Sequence, residues 1–259
     1  MMPRKLPRLT RFAVVALTTL PIMLSATSAH AADLIVSAAS SLTNAFKEVA
    51  QDFEAQHPDT KVVLNFAASD VLLQQIVKGA PADVFASADQ DAMNKAETGK
   101  SVQSSSRKNF ASNQIVLILP ADSKLNITQL KDLLAPTVKR VAYGDPASVP
   151  VGRYTKAALE RDNLWTAVEA KGIPAQNVRQ SLDYVARDEV DAGFVFSTDA
   201  AIMPGKVKVA VRVPSTTPVT YPIAVTAETK QPLVAAQFIS YVLSPKGQAT
   251  LARYGFLKP

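Results

Sequence analysis

No cysteine occurs in this sequence of 259 residues, and there are only two histidines, one of which, His30, lies in the N-terminal segment. Without thiols the fold has no disulfides, no thiolate metal ligands and no attachment point for a lipid. His57 alone cannot assemble an ordinary zinc site, and a Ser-His-Asp hydrolase would have to use it as its base. It stands beside Pro58 at the predicted end of the first helix, where an imidazole reads as a cation near a helix C-terminus. The G-x-S-x-G, G-x-x-x-x-G-K-[ST] and G-x-G-x-x-G signatures are missing, which removes the usual markers of hydrolase, P-loop and dinucleotide sites. No apolar run is long enough to span a bilayer, and no internal repeat or low-complexity segment appears.

What the N-terminus does contain is a leader pattern. Arg4, Lys5, Arg8 and Arg11 precede an apolar stretch over 12–24, and Ala29-His30-Ala31 reads as an A-x-A cleavage signal. Residues 1–31 are therefore expected to be a secretory signal peptide cut near Ala31/Ala32. The remaining chain of about 228 residues carries 24 Lys and Arg against 22 Asp and Glu, a net of +2 where the full sequence has +6. No basic tract survives cleavage, which argues against a nucleic-acid partner. That length supports a core without disulfides, and the expectation is a soluble protein of a Gram-negative periplasm.

Strand and helix patterns alternate along the chain. Phe46, Val49, Ala50 and Phe53 recur at i, i+3, i+4, i+7, the stripe of an amphipathic helix. Strands are predicted over 34–39, 61–66, 83–87, 114–119, 139–143, 192–196, 206–213 and 221–226. Helices are predicted over 70–78, 89–98, 127–134, 152–162, 177–187, 231–243 and 245–254, and residues 100–109 read as polar and irregular. Such alternation implies α/β lobes with mostly parallel sheets, whose ligands bind at the carboxyl ends of strands. A boundary near residue 112 and a C-terminal tail too short to stand alone suggest two lobes joined by a two-stranded hinge. The first lobe comprises 32–112 plus 221–259, and the second 113–220.

One motif is used twice. A strand (34–39) runs into Ser40-Ser41 and a helix, and a strand (62–66) runs through Ala67-Ala68 into Ser69 and a helix. Each serine falls where a helix N-cap belongs, and a helix N-terminus offers unpaired N–H groups and partial positive charge to an anion. The second lobe supplies two further helix starts, at Pro150-Val151-Gly152 and at Gln176-Asn177-Val178-Arg179. A dianion could be held there by neutral donors alone. On spacing alone, ordinary capping is the commoner explanation of both serines, and Arg153 and Arg179, although candidate anion ligands, stand in first turns where an arginine is more often solvated. Asp70, beside Ser69, would be unfavourable next to an anion unless it points away; complementing the helix dipole is its simpler role.

Five segments stand in order: Ala38-Ala39-Ser40-Ser41-Leu42-Thr43-Asn44-Ala45, Phe66-Ala67-Ala68-Ser69, the run from Gly79 to Asp89, Gly144-Asp145-Pro146 with Val149-Pro150, and Arg253-Tyr254-Gly255-Phe256. Together they resemble the periplasmic molybdate-binding proteins of ABC importers, the ModA family. The resemblance implies a type II two-lobed periplasmic binding fold with its ligand in the interlobe cleft. It further implies capture of molybdate or tungstate, no cofactor, no catalysis, a monomer, and delivery to a permease and its ATPase at the inner membrane. By motif, Ser41 and Ser69 match the serines that hold the anion, and Val151 and Val178 match the backbone donors. The oxyanion is then held through its oxygens, with no direct metal ligand.

One position departs from the family pattern. A tyrosine that often ends the strand at 193–196 is here Phe196, which has no donor, so that Ser40, Ser197 or a water would have to replace it. The alternatives are another tetrahedral oxyanion and, in a different class, an exported serine hydrolase. Sulfate is acceptor-only like molybdate. Phosphate carries a proton and wants an acceptor such as Asp70 or Asp145 in the cleft. Ferric ion would want clustered tyrosines, and the six here are scattered.

Overall fold

The computed structural model describes residue 1 and residues 32–259; the expected signal peptide and its cleavage site lie outside them. β1 (Ala32–Ala39) passes through a 3-10 turn (Ser40–Leu42) into α1 (Thr43–Gln56), whose Phe46, Val49, Ala50 and Phe53 are all buried. β2 (Thr60–Ala67) leads into α2 (Ser69–Val77), and β3 (Val84–Ala86) into α3 (Gln90–Thr98). A 3-10 turn (Ser104–Ser106) precedes β4 (Lys108–Asn113) and β5 (Ile115–Pro120). Next come a 3-10 segment (Leu130–Leu134), β6 (Val141–Gly144), α4 (Pro150–Arg161), α5 (Trp165–Glu169) and β7 (Gly172–Ala175). The chain continues through α6 (Val178–Ala186), β8 (Ala192–Phe196), α7 (Ser197–Ala201), β9 (Val207–Val213) and β10 (Val219–Val225). It closes with α8 (Pro232–Leu243) and α9 (Pro245–Arg253).

These strands form two five-stranded sheets, ordered β2-β1-β3-β10-β4 and β7-β6-β8-β5-β9. In the first, β10 pairs antiparallel with both β3 and β4 while β1 pairs parallel with β2 and β3. In the second, β5 is the antiparallel strand between β8 and β9, and β6 pairs parallel with β7 and β8. Four of five strands thus share one direction in each sheet. The single reversed strand is one that follows or precedes a change of sheet: the chain crosses once at Gln114, and back over residues 214–218. Helices cover both sheets, and β5, buried at all six positions, has the continuous apolar character of a strand enclosed on both faces. The result is a two-lobed α/β fold.

Several elements differ from the sequence-based expectation. Residues 108–113, predicted irregular up to 109, are β4: its polar start is exposed, but Phe110, Ala111 and Asn113 are buried through pairing with the distant β10. The helix expected over 127–134 is a short 3-10 segment. Buried Ile127, which precedes it, and Leu130 and Leu133 within it are spaced by three, which suits 3.0 residues per turn as well as it suits an α-helix. The short elements α5, β7 and α7 carry too few residues to show a period. At the end of α2, Gly79 adopts φ +88°, and its N–H and that of Ala80 reach back to Ile76 and Gln75. This Schellman arrangement needs a residue without Cβ strain.

Candidate functional site

The carboxyl ends of β1 and β2 and the starts of α2, α4 and α6 meet around a tight cavity with about 10 Å³ of free interior space, on the order of one water-sized sphere. That is far below the room a drug-sized ligand needs. Ser40, Ser41, Ser69, Val151, Val178 and Phe196 all line it, whereas Ser197, Arg153, Arg179, Asp70 and Asp145 do not. The rest of the wall is alanine, valine and proline, and no charged side chain is part of it. Wider grooves elsewhere, such as the one along residues 212–219, are open to solvent.

Neither serine caps its own helix with its hydroxyl. Ser41 lies inside the 3-10 turn and Ser69 is the first residue of α2, after Ala68 at the cap position. Both hydroxyl oxygens are engaged elsewhere. Ser69 Oγ accepts the buried N–H of Ala88 at 3.1 Å, and Ser41 Oγ lies 3.1 Å from the Tyr221 hydroxyl. The backbone carries the donors of the helix starts. The first N–H groups of a helix have no intrahelical acceptor, and among the described residues no hydrogen bond uses the N–H of Ser69, Val151 or Val178. In α4 the first residue is Pro150, which has no N–H, so Val151 supplies the leading donor. In α6 the cap Asn177 accepts from Arg179 and Gln180 through Oδ1 and leaves Val178 uncovered.

Packing fixes where the α4 donor points. A Cβ on Gly152 would fall 1.8 Å from the Gly144 carbonyl oxygen, so only glycine lets the helix start come this close to the end of β6.

Charges surround the cavity without entering it. Arg153 on α4 donates to Asp89 through Nε at 2.7 Å and to Asp70 through Nη2 at 2.6 Å, and Lys95 also reaches Asp70 at 2.6 Å. Burial pulls the Arg153 guanidinium down, yet Asp89 and Asp70 together outweigh it and the net shift is upward. Burial pushes the Asp89 carboxyl up against the pull of Arg153. Arg179 on α6 donates to Asn44 Oδ1 at 2.8 Å and to the Ser41 carbonyl at 3.2 Å. Its Nε lies 2.6 Å from Asp199 Oδ1 in an ion pair that is not aligned as a hydrogen bond. Both arginines are held by protein partners, and neither lines the cavity. Each spans from a helix of the second sheet to a residue of the first. Asp70 is turned to its two cations, and Asp145 caps the N–H of Ala147 at 3.0 Å.

Sequence reasoning missed Tyr221 and Asn113. Tyr221 is fully buried on β10, with its ring 5.8 Å from that of Phe196. Asn113, the last residue of β4, donates to Tyr221 Oη at 3.2 Å and to Thr198 Oγ1 at 2.9 Å. Its Oδ1 accepts from the Gln114 N–H and from Ser197 Oγ. Ser197 is thus committed to Asn113, and of the two serines considered as stand-ins for a donor at Phe196, Ser40 is the one on the cavity wall. The serine–tyrosine and asparagine–tyrosine pairings are 180 and 108 residues apart in sequence, and no local pattern announces them. His57 stacks on Phe53 at the far end of α1, with ring centroids 4.2 Å apart.

The model of the bacterial extracellular solute-binding proteins matches residues 34–257. The chain belongs to that family. Among its relatives is the molybdate-binding protein ModA of Escherichia coli (strain K12), 37% identical over 234 residues, which span 86% of this chain and 88% of that one. Among solved structures, the periplasmic molybdate-binding protein of Azotobacter vinelandii superposes with a TM-score of 0.77 at 25% identity, covering 87% of this chain and 99% of that one. The sulfate-binding protein SubI of Mycobacterium tuberculosis H37Rv superposes with a TM-score of 0.79 at 16% identity, covering 87% and 86%. This last likeness is one of fold alone. No helix among the described residues is long and apolar enough to cross a membrane.

Proposed function

We propose that this chain captures molybdate, and tungstate with it, in the periplasm and delivers the anion to the permease and ATPase of an ABC importer, as a monomer without catalysis or cofactor. The observation that carries this reading is the cavity wall: tight, lined by Ser40, Ser41, Ser69 and uncovered helix N–H groups, and free of charged side chains. Fixed dipoles of this kind replace hydration around an anion, and helix N-termini add favourable potential. Kinship with proteins named for molybdate binding supports the choice of ion. A fold shared with a sulfate-binding protein does not discriminate; cavity size must. Phosphate is disfavoured because no carboxylate lines the cavity to accept its proton. The lobes that close on the ion are 32–112 with 221–259, and 113–220, a division supported by the change of sheet at Gln114 and between Val213 and Val219.

A serine hydrolase would need a base beside Ser41. His57 lies at the other end of α1, a helix of 14 residues, roughly 20 Å away along its axis.

The test is thermal unfolding of residues 32–259 with molybdate, tungstate, sulfate or phosphate in turn. At 100-fold excess over the dissociation constant, a specific ligand adds about 2.7 kcal/mol, a rise of roughly 5–11 °C at this size. The expected result is a rise with molybdate and tungstate only. A rise with sulfate or phosphate alone would move the substrate, and no rise with any oxyanion would overturn the reading.

A further inference from the structure

We propose that Asn113 and Tyr221 form a one-way hydrogen-bond relay that fixes the Ser41 hydroxyl as a donor into the cavity. Tyr221 is thereby a positioning residue for anion capture. The inference rests on the oxyanion-binding reading above and adds the mechanism that polarises the site.

The direction of the relay follows from counting donors and acceptors. Asn113 Oδ1 accepts from the Gln114 N–H at 2.8 Å and from Ser197 Oγ at 2.9 Å. A backbone N–H can only donate, so the amide is oriented with its NH₂ toward Thr198 and Tyr221. Tyr221 Oη is therefore an acceptor for Asn113. Its own proton then has one acceptor within reach among the described residues, Ser41 Oγ at 3.1 Å. The opposite sense would leave a phenolic proton without a partner at a fully buried position, which is unfavourable. Burial, first, and the nearby Asp199 carboxylate hold the phenol far above its ordinary titration range, so this proton is always present. Ser41 Oγ, having accepted from Tyr221, has its own proton left, and Ser41 is on the cavity wall.

Ser69 reaches the same state by another route. Its oxygen accepts the Ala88 N–H, so its proton too is left for the cavity. Each hydroxyl, which could in principle donate or accept, has one lone pair taken by a protein donor and its proton left for the cavity. Preorganisation of this kind is worth most where the ligand offers only acceptors, because no hydroxyl must turn on binding.

The experiment is a double-mutant cycle read by calorimetric titration with molybdate. It uses wild type, Tyr221→Phe, Ser41→Ala and the double variant of residues 32–259, with the ligand-free melting temperature measured alongside. Tyr221→Phe is expected to weaken binding about 3- to 10-fold in the wild-type background and less than twofold when Ser41 is already alanine. Loss of general packing would appear equally in both backgrounds, so equal losses overturn the proposal, as does wild-type affinity in Tyr221→Phe. If that variant does not fold, Asn113→Asp replaces it. The carboxylate takes the Tyr221 proton, the relay reverses, and the part of its effect that vanishes in the Ser41→Ala background measures the relay; no such part overturns it. A wild-type chain that binds no molybdate overturns the function reading first, and this inference with it.

Discussion

Arg153 offers the sharpest test of how the site closes. It rises from α4, which packs against the second sheet, and its two closest carboxylate partners lie on α2 and just before α3, beside the first sheet, with the exposed Asp91 of α3 a third at 3.8 Å. The carboxylate side chains are 8% exposed for Asp70 and 4% for Asp89, and the arginine is 18% exposed. Arg153→Met keeps the apolar stem and deletes the charge. Breaking a buried pair and stranding its partner costs about 3–5 kcal/mol. Here the loss is smaller, because Lys95 stays on Asp70 and Asp89, already pushed up by burial, can take a proton. About 2–3 kcal/mol is the expectation, and it falls on contacts between the two halves rather than within either. The variant should therefore bind molybdate roughly 30- to 150-fold more weakly, with a smaller change in the melting of ligand-free protein. Calorimetric titration and thermal unfolding of the same preparations measure both. Arg153→Lys keeps the charge and loses the fork that reaches two carboxylates at once, so it should fall between. Unchanged affinity in Arg153→Met, or a loss confined to ligand-free stability, would refute the closure argument. Full recovery in Arg153→Lys would reduce the arginine to a distant positive charge.

Three further outcomes follow from the same geometry. Ser69→Ala removes a hydroxyl donor and strands the buried N–H of Ala88: binding should weaken roughly 10- to 150-fold and ligand-free stability should drop by about 1–3 kcal/mol, read by titration and chemical denaturation. Wild-type behaviour in either measurement would remove the assigned role. Phe196→Tyr adds a phenol at a residue of the cavity wall that has no donor; a new hydrogen bond to the anion would tighten binding by roughly 1.5–3 kcal/mol, and unchanged or weaker binding would show that the hydroxyl does not reach. Asp199, fully buried, is pushed by burial from 3.8 to about 6 despite the Arg179 guanidinium beside it. Its folded form holds a proton that the unfolded chain has lost between those values, so its contribution to stability is present below about pH 4 and declines by about 3 kcal/mol as pH rises to 6. Carbon-detected NMR of the Asp199 carboxyl should titrate near 6; a midpoint near 4 would contradict the burial.

The sequence made the scaffold legible wherever a period could repeat. The stripe of Phe46, Val49, Ala50 and Phe53 needed 14 helical residues to be visible, and the six buried residues of β5 form an apolar run that can hardly be anything else. By the same logic the five-residue α5 and α7 and the four-residue β7 were illegible, since one turn of helix or two pleats of strand do not define a period. β4 was hidden differently. Its polar start carries no apolar alternation, and its strand character comes from β10, more than 100 residues later.

The cavity divides along the same line. Its wall is made of helix starts, and a helix start is a local event: a small or capping residue between a strand and an amphipathic run. Ser41, Ser69, Val151 and Val178 were therefore within reach of the sequence, although the cap roles first assigned to the serines were off by a residue or more. What gives these groups their chemical sense is not local. Ser41 can be read as a donor only once Tyr221 and Asn113 are known to stand behind it, Ser69 only once Ala88 does, and Arg153 and Arg179 look like anion ligands until Asp70, Asp89 and Asp199 are seen to hold them. A neutral site for a dianion thus depends on charges and hydroxyls satisfied from outside the wall. Substitutions one residue removed from the cavity, at Tyr221, Asn113 or Asp89, should therefore alter binding as surely as substitutions in it.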